Sequence, residues 1–281
     1  MRIRTVDAFT STPFQGNPAA VLLLENSHAF PEDAWLQRVA TELNLSETAF
    51  AHPLPPGRNT EADWALRWFT PTTEVDMCGH ATLATAHVLK TTSTAPTPIT
   101  RFTTRSGTLT TTAHPDGSLT LDFPTAPLTP VEAPAGLAEA LGTEPLSVHF
   151  TGDLVGDLLV ECRSEQDVHA LSPDLRALAG LSRRGIIATA RAQDPGKGYD
   201  FATRCFFPAV GIDEDPVTGS AHTALAPFWS ARLGRSELTG LQGGARTGLV
   251  RTALHGDRTH LTGHAVTVLE GELLHPYDNG S

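Results

Sequence analysis

Residues 63–71 read DWALRWFTP and residues 200–208 read DFATRCFFP, sharing Asp, an aromatic, Ala, Arg, Phe and Pro at six of nine positions. Shortly after each comes a second related run, EVDMCGHATLATA (74–86) and EDPVTGSAHTALA (214–226). There Glu74/Glu214, Gly79/Gly219, Ala81/Ala221, Ala84/Ala224 and Ala86/Ala226 coincide at one offset, 140 residues. The same offset pairs Gly16–Asn17 with Gly156–Asp157. Alanine matches alone would mean little in an Ala- and Thr-rich chain, but an ordered pair of motifs repeated near half the chain length points to two homologous halves.

Each half then carries a similar order of elements. A strand (AAVLLLE, then DLLVEC) is followed by a helix that Pro31 or Pro173 opens at its first turn. In the first helix Trp35, Leu36, Val39, Ala40 and Leu43 share one face. The Arg-x-Phe strand, a glycine turn and an Ala-rich helix from about residue 80 or 220 come next. Thr-rich alternating strands close both halves, with hairpin turns at Asp116–Gly117 and His255–Asp257. The fold class expected is α+β: two pseudo-symmetric halves, each a curled, mostly antiparallel sheet around a central helix. The boundaries expected are 1–125 and 137–281, joined by a linker (126–136) in a stretch that Pro124, Pro127, Pro130 and Pro134 keep irregular, with the last residues packing back on the first half.

Composition narrows the function. A net charge of −11 disfavours nucleic acid and anionic membranes as partners. No run approaches the roughly 18 apolar residues of a membrane span, and the N-terminus lacks the apolar core of a signal peptide. Cys78, Cys162 and Cys205 are odd in number and show no CxxC spacing, which reads as reduced thiols in a cytoplasmic protein. There is no GxGxxG after a strand, no GxxxxGK[ST], no HExxH and no GxSxG, so no cofactor is expected. His80 and His87 could share a helix face, but without a third ligand at suitable spacing no metal is expected.

Helices starting at Gly79 and Gly219 would present unpaired amides and a positive dipole end, able to hold a carboxylate in an acidic protein with only Lys90 and Lys197 as lysines. The halves differ where chemistry would sit: Cys78 corresponds to Thr218, His80 to Ser220, and Glu47 in NLSETA has no acidic counterpart in IIATA (186–190). Asp215 is likewise unmatched, since Val75 stands at the offset position. Glu47 lies between Leu45 and Ala49 in strand alternation, and desolvation there would raise its pKa toward that of a general acid/base. On the residues alone, the plainer reading of Glu47 is a surface carboxylate or a helix-end contact. Cys205 reads as core packing, and the loop Gln242-Gly243-Gly244 with Arg246 and Gly248 as a lid or a plain turn.

Taken together, DAFTSTPFQGNPAAVLLL, NLSETAF, FTPTTEVDMCGHATLATA and FFPAVGIDEDPVTGSAH resemble, in order and over nearly the whole chain, the phenazine biosynthesis PhzF-like family of the diaminopimelate epimerase-like superfamily. The resemblance implies two halves, each a sheet wrapped on a central helix. It also implies a cofactor-free isomerase of the kind that moves a proton within an unsaturated amino acid made from chorismate. Glu47 would be the acid/base, with His80 and Asp215 catalytic beside it. Asn17, Ser46, Cys78, Gly79, Gly219 and Ser220 would line the substrate site in a cleft between the halves, and the substrate would be a small carboxylate. A homodimer is expected on the same ground. The superfamily's racemases place a cysteine on each side of the substrate carbon. Thr218 stands at the second of those positions here, which favours a one-base isomerase, with an epimerase, racemase or lyase using Cys78 as the alternative and a non-catalytic small-molecule-binding protein as another.

Overall fold

Alternating and β-branched runs make strands the dominant element, and the computed structural model, which describes residues 1–25, 27–55, 61–92, 94, 97–275 and 277, is an α+β protein. It divides into two compact units, residues 1–122 with 262–281, and residues 123–261.

The first unit runs β1 (Arg2–Ala8), β2 (Asn17–Leu23), α1 (Asp33–Leu43), β3 (Glu47–Pro53), β4 (Trp64–Phe69), β5 (Glu74–Val75), α2 (Gly79–Thr91), β6 (Ile99–Thr104), β7 (Gly107–Ala113) and β8 (Leu119–Pro124). Its ladder is antiparallel at β1–β2, β3–β4, β6–β7 and β7–β8, and parallel at β2–β3 and β4–β6. The β7–β8 hairpin turns at Asp116–Gly117 as expected: Gly117 takes a left-handed φ of 83°, and the Asp116 carboxylate accepts from the Ser118 amide at 3.0 Å.

Helix α2 is buried on nearly all sides, from Gly79 to Leu89, because GHATLATAHVL offers small and apolar residues in every direction. Helix α1 buries one stripe: Leu36, Val39 and Ala40 pack with Ile3, Leu22, Phe50 and Phe69, and Trp35 and Leu43 lie half-covered beside them.

The second unit runs β9 (Thr129–Val131), α3 (Leu137–Leu141), β10 (Ser147–Phe150), α4 (Gly152–Val155), β11 (Leu158–Glu161), α5 (Glu165–Ala170), α6 (Leu175–Leu178), β12 (Ile186–Arg191), β13 (Phe201–Phe207), β14 (Ile212–Asp215), α7 (Gly219–Leu233), β15 (Glu237–Gln242), β16 (Gly248–His255) and β17 (Arg258–Gly263). The last strand, β18 (Ala265–Glu272), pairs antiparallel with β1 in the first unit. As in the first unit, most pairs are antiparallel and two, β11–β12 and β13–β15, are parallel.

Helix α7 carries Pro227 in its interior, which removes an amide and would orphan the carbonyl one turn earlier. That carbonyl, on Thr223, accepts instead from the Ala126 amide at 3.2 Å.

Three expectations need correcting. Pro31 and Pro173 do not sit in the first helical turn. Each precedes the cap residue, Glu32 or Asp174, and the Asp174 carboxylate accepts from the Ala177 amide in its place. The helix expected after Pro173 is only the four-residue α6, and a separate short helix, α5, precedes the proline, with Leu171 extended (φ −54°, ψ 130°) between them. The proline-rich segment is not wholly irregular either. Thr129–Val131 pairs with β10, with Pro130 opposite His149, a one-sided ladder that tolerates the missing amide. No helix among the described residues is long and apolar enough to cross a membrane.

The repeated motifs form the same local structure in both units. Arg67 grips Glu74 through two bonds of 2.7 and 2.6 Å and lies over the Phe69 ring at 5.1 Å. Arg204 grips Glu214 at 2.8 and 2.7 Å and lies over Phe206 at 5.1 Å. Such forked pairs fix direction as well as position, so each ties its strand to the turn that leads into α2 or α7.

Candidate active site

Four of the site residues expected in the first unit meet where β2 and β3 begin and α2 starts. Gly16, at φ 64°, has no room for a side chain: a Cβ there would lie 2.2 Å from the Ala8 carbonyl oxygen. That turn delivers Asn17, fully buried, as the first residue of β2. Parallel pairing sets Glu47, the first residue of β3, opposite Ala19. Ser46 occupies the half-buried bend just before it. Cys78 caps α2 without a side-chain hydrogen bond to the helix amides, Gly79 is the first helical residue, and His80 is the second.

His80 Nε2 lies 3.1 Å from a Glu47 carboxylate oxygen, and its Nδ1 lies 3.2 Å from Asn17 Nδ2 and 3.5 Å from Cys78 Sγ. Burial opposes a charge on His80, yet the neighbouring Cys78 and Glu47 together hold its pKa well above the usual histidine value. Burial, and then the Glu47 charge, push the Cys78 thiol up. A thiol held neutral lends a hydrogen bond but no charge, so the carboxylate of Glu47 is the partner that favours an imidazolium. The Asn17 amide can serve both states of the ring. Its Nδ2 donates to a neutral Nδ1, and its Oδ1, turned inward, accepts from a protonated one.

Glu47, Cys78 and His80 are also the residues whose donor atoms cluster closely enough, within 4.8 Å, to consider for a metal ion. A carboxylate therefore does lie near His80, which spacing along the chain did not suggest. Its contacts suit proton transfer better than ligation: the thiol meets one ring nitrogen and the carboxylate the other, whereas a single ion would take one nitrogen only. His87 stands apart, its Nε2 3.2 Å from the Thr267 hydroxyl.

The second unit assembles a different set at the start of α7. Asp215, the last residue of β14, accepts from the Thr218 hydroxyl at 2.5 Å. Thr218 caps α7 without bonding the helix amides, and Gly219 and Ser220 open the helix. Gln242, fully buried, locks this corner: its Oε1 accepts from the Thr218 amide, and its Nε2 donates to the Asp215 carbonyl and to Thr218 Oγ1, each at 2.9 Å. A lid or a plain turn was expected over this loop: residues 243–247 do make the turn between β15 and β16, while Gln242 itself ends β15 as a clamp. Cys205 is core as expected, with burial and then the Asp215 charge holding its thiol well above the ordinary value.

Strand pairing supplies the counterpart of Glu47. Ala19 faces Glu47, and Leu159, at the repeat offset from Ala19, faces Ile187. The position that Glu47 holds in the first unit is thus a hydrocarbon in the second. Arg184 is a residue the sequence did not single out: its Nη2 donates to Ser220 Oγ at 2.8 Å and its Nε lies 3.0 Å from the Asp157 carboxylate. No repeat partner marks it, and its contacts are distant along the chain.

Comparison with known proteins establishes the family and the fold. The model of the family described as phenazine biosynthesis-like protein matches residues 6–271. A relative named an uncharacterized isomerase, from Halalkalibacterium halodurans, is 46% identical over 275 residues, covering 97% of this chain and 98% of its own. The crystal structure of a phenazine biosynthesis protein of the PhzF family from Enterococcus faecalis superposes with a TM-score of 0.86 at 37% identity, covering 97% of this chain and 98% of that one. A hydroxyproline epimerase from Agrobacterium vitis shares the fold alone, at a TM-score of 0.58 and 13% identity over 96% of this chain and 91% of that one. With a family match spanning almost the entire length and relatives of this similarity, the chain belongs to the phenazine biosynthesis-like, PhzF-like family.

Proposed function

We propose that this protein is a cofactor-independent isomerase that moves a proton on a small carboxylate-bearing substrate, unsaturated or amino-acid-like, with Glu47 as the general acid/base. The observation that carries the proposal is the buried Glu47 carboxylate 3.1 Å from His80 at the start of α2. Relatives named isomerases support the reaction class.

In the proposed cycle, helix-opening amides of the kind found at α2 and at α7 anchor the substrate carboxylate, with Asn17, Ser46 and Ser220 as further substrate-binding residues. Glu47 removes a proton from an activated carbon, and the electron pair of the broken C–H bond shifts into the conjugated system. The resulting carboxylic acid returns the same proton to another carbon, so no oxidant or co-reactant is required. His80 stabilises the Glu47 carboxylate before the first transfer and after the second, Asp215 receives the substrate's amine or hydroxyl, and excluding water keeps the proton from exchanging away. Descent of the two units from one duplicated half and a cytoplasmic location belong to the same proposal, supported by the recurring Arg–Glu pairs and by three free, buried cysteines.

Cys78 bears on a second reading, an epimerase with the thiol as the opposite proton carrier, because its Sγ lies 3.5 Å from His80 Nδ1. Two features weigh against it: the thiol is held protonated, and the corresponding Thr218 hydroxyl is already donated to Asp215. One experiment tests both readings. Unsaturated acids and amino acids are incubated with the protein in heavy water and followed by mass and by NMR. The isomerase reading expects a shifted double bond, abolished by Glu47→Gln and little changed by Cys78→Ala. Retained turnover in Glu47→Gln would sink the role of Glu47. Label at one stereocentre, lost in Cys78→Ala, would select the epimerase.

A further inference from the structure

The repeat aligns Asn17 with Asp157 and His80 with Ser220, and in each unit the two members are linked, but by different means. In the first unit the Asn17 amide reaches the imidazole directly at 3.2 Å. In the second, Asp157 reaches Ser220 through an inserted guanidinium, with Arg184 Nε 3.0 Å from Asp157 and Arg184 Nη2 2.8 Å from Ser220 Oγ. We propose that Arg184 is a positioning residue that acts through Ser220, holding its hydroxyl as a hydrogen-bond donor toward the carboxylate of the substrate. This rests on the reading of Ser220 as a substrate-binding residue and adds to it the direction of the bond and the group that enforces it.

An arginine side chain can only donate. When Nη2 donates to Ser220 Oγ it occupies a lone pair there, so Ser220 keeps its own proton for an acceptor. A serine hydroxyl left alone would rotate between donating and accepting; one facing a guanidinium donates. Its bond is also strengthened by the adjacent positive charge, in a chain whose net charge of −11 otherwise repels anions.

The guanidinium itself is held from three sides. Asp157 is fully buried, and its backbone is fixed by Thr151, whose hydroxyl accepts from the Asp157 amide at 2.9 Å while the Thr151 amide donates to the Asp157 carbonyl at 3.0 Å. Phe207 lies under the Arg184 guanidinium at 4.7 Å. That ring fits only because the next residue is Gly185, where a Cβ would stand 2.1 Å from Phe207 Cδ1. An arginine with this many restraints has little rotamer freedom left to lose on binding. It is also partly open, with 31% of its side chain exposed, as a residue beside a ligand would be.

The test uses the whole protein with benzoate as the carboxylate probe and benzamide as its uncharged counterpart. Dissociation constants are measured by calorimetry for the parent, Arg184→Gln, Arg184→Lys, Ser220→Ala and the Arg184→Gln/Ser220→Ala double variant, with thermal melts to confirm folding. The expected result is a preference for benzoate that falls about tenfold in Arg184→Gln and in Ser220→Ala, with little further loss in the double variant, since both remove one interaction. Arg184→Lys, which keeps charge but not the forked geometry, should recover only part of the loss. On the substrate found by the heavy-water screen, Arg184→Gln should raise KM with kcat nearly unchanged.

Independent, additive losses would overturn the proposal that Arg184 acts through Ser220. So would parent-like binding in Arg184→Gln while Ser220→Ala is weakened, which leaves the role of Ser220 standing. Parent-like binding in Ser220→Ala, or no preference for benzoate in the parent, would instead remove the substrate-binding role of Ser220 on which the proposal rests.

Discussion

Asp157 predicts a stability that falls as pH rises, opposite to the usual behaviour of a paired carboxylate. Its distance of 3.0 Å from Arg184 would suggest an ordinary ion pair with a depressed pKa. Burial outweighs that attraction, because Asp157 is fully enclosed while Arg184 is partly exposed to solvent and shared with Ser220, and the carboxyl is pushed up from 3.8 to about 7. An acid whose pKa is higher in the folded state binds a proton there after the unfolded chain has released its own. The stabilisation is complete below the unfolded pKa, declines from about pH 4, and is gone once pH passes the folded value near 7. A shift of about 3 units at 1.36 kcal/mol per unit sets a ceiling on the order of 4 kcal/mol, which water penetration and relaxation reduce.

Asp157→Asn keeps the shape and removes the titration. The measurement is urea denaturation of parent and variant at pH 5, 6, 7 and 8, taking the difference in unfolding free energy so that groups common to both cancel. The variant should gain on the parent by roughly 1–2.5 kcal/mol between pH 5 and pH 8, with most of the change complete by about pH 7. Parallel pH profiles would refute the reasoning and show that Arg184 keeps Asp157 charged throughout.

Two further substitutions probe the scaffold. Gly16→Ala should destabilise the fold by at least the roughly 1–2 kcal/mol of an unfavourable left-handed residue, and by more because its Cβ would meet the Ala8 carbonyl at 2.2 Å. It should also lower turnover by displacing Asn17, and unchanged melting and activity would contradict the assigned turn. Tyr199→Phe removes the hydroxyl that donates to the buried Glu165, whose other oxygen accepts from the Gln193 amide at 2.7 Å. A bond to a charged group of this kind contributes about 1.5–3 kcal/mol, readable by denaturation, and a change below about 0.5 kcal/mol would mean that Glu165 finds water instead.

Much of the scaffold was legible because it rests on local or repeated signals. Asp116–Gly117 announces its hairpin, the glycines at 79 and 219 mark where buried helices begin, and the apolar spacing of Leu36, Val39 and Ala40 identifies the inner face of α1. The Arg-x-Phe frame was visible as a motif, though its purpose, the grip of Arg67 on Glu74 and of Arg204 on Glu214, needed coordinates. Proline misled where it was read by its usual place alone: Pro31 stands before a cap, and Pro130 sits within a one-sided strand pair. Arg184, and the clamping role of Gln242, were illegible for a different reason. Each acts on the start of α7 from another element, Arg184 ahead of β12 and Gln242 from the end of β15, and neither has a repeat partner to draw attention to it.

The positions where the units agree and differ separate support from chemistry. Both keep the forked Arg–Glu pair, the aromatic under the arginine, and a glycine opening a buried helix. At three corresponding positions the first unit carries a titratable side chain and the second does not, whereas Asn17 and Val75 stand against Asp157 and Asp215 the other way. Glu47 stands against Ile187, which cannot titrate. His80 stands against Ser220, whose hydroxyl is engaged by Arg184, and Cys78 against Thr218, whose hydroxyl is bound to Asp215. Asn17 stands against Asp157, which does titrate but is fully enclosed behind Arg184. On the proposed function, proton transfer therefore belongs to the first unit, and the corresponding residues of the second supply directed donors that hold charge in place. The division makes Glu47→Gln and Arg184→Gln complementary: the first should remove turnover with binding intact, the second should weaken binding with turnover intact, and an exchange of those phenotypes would dissolve the division.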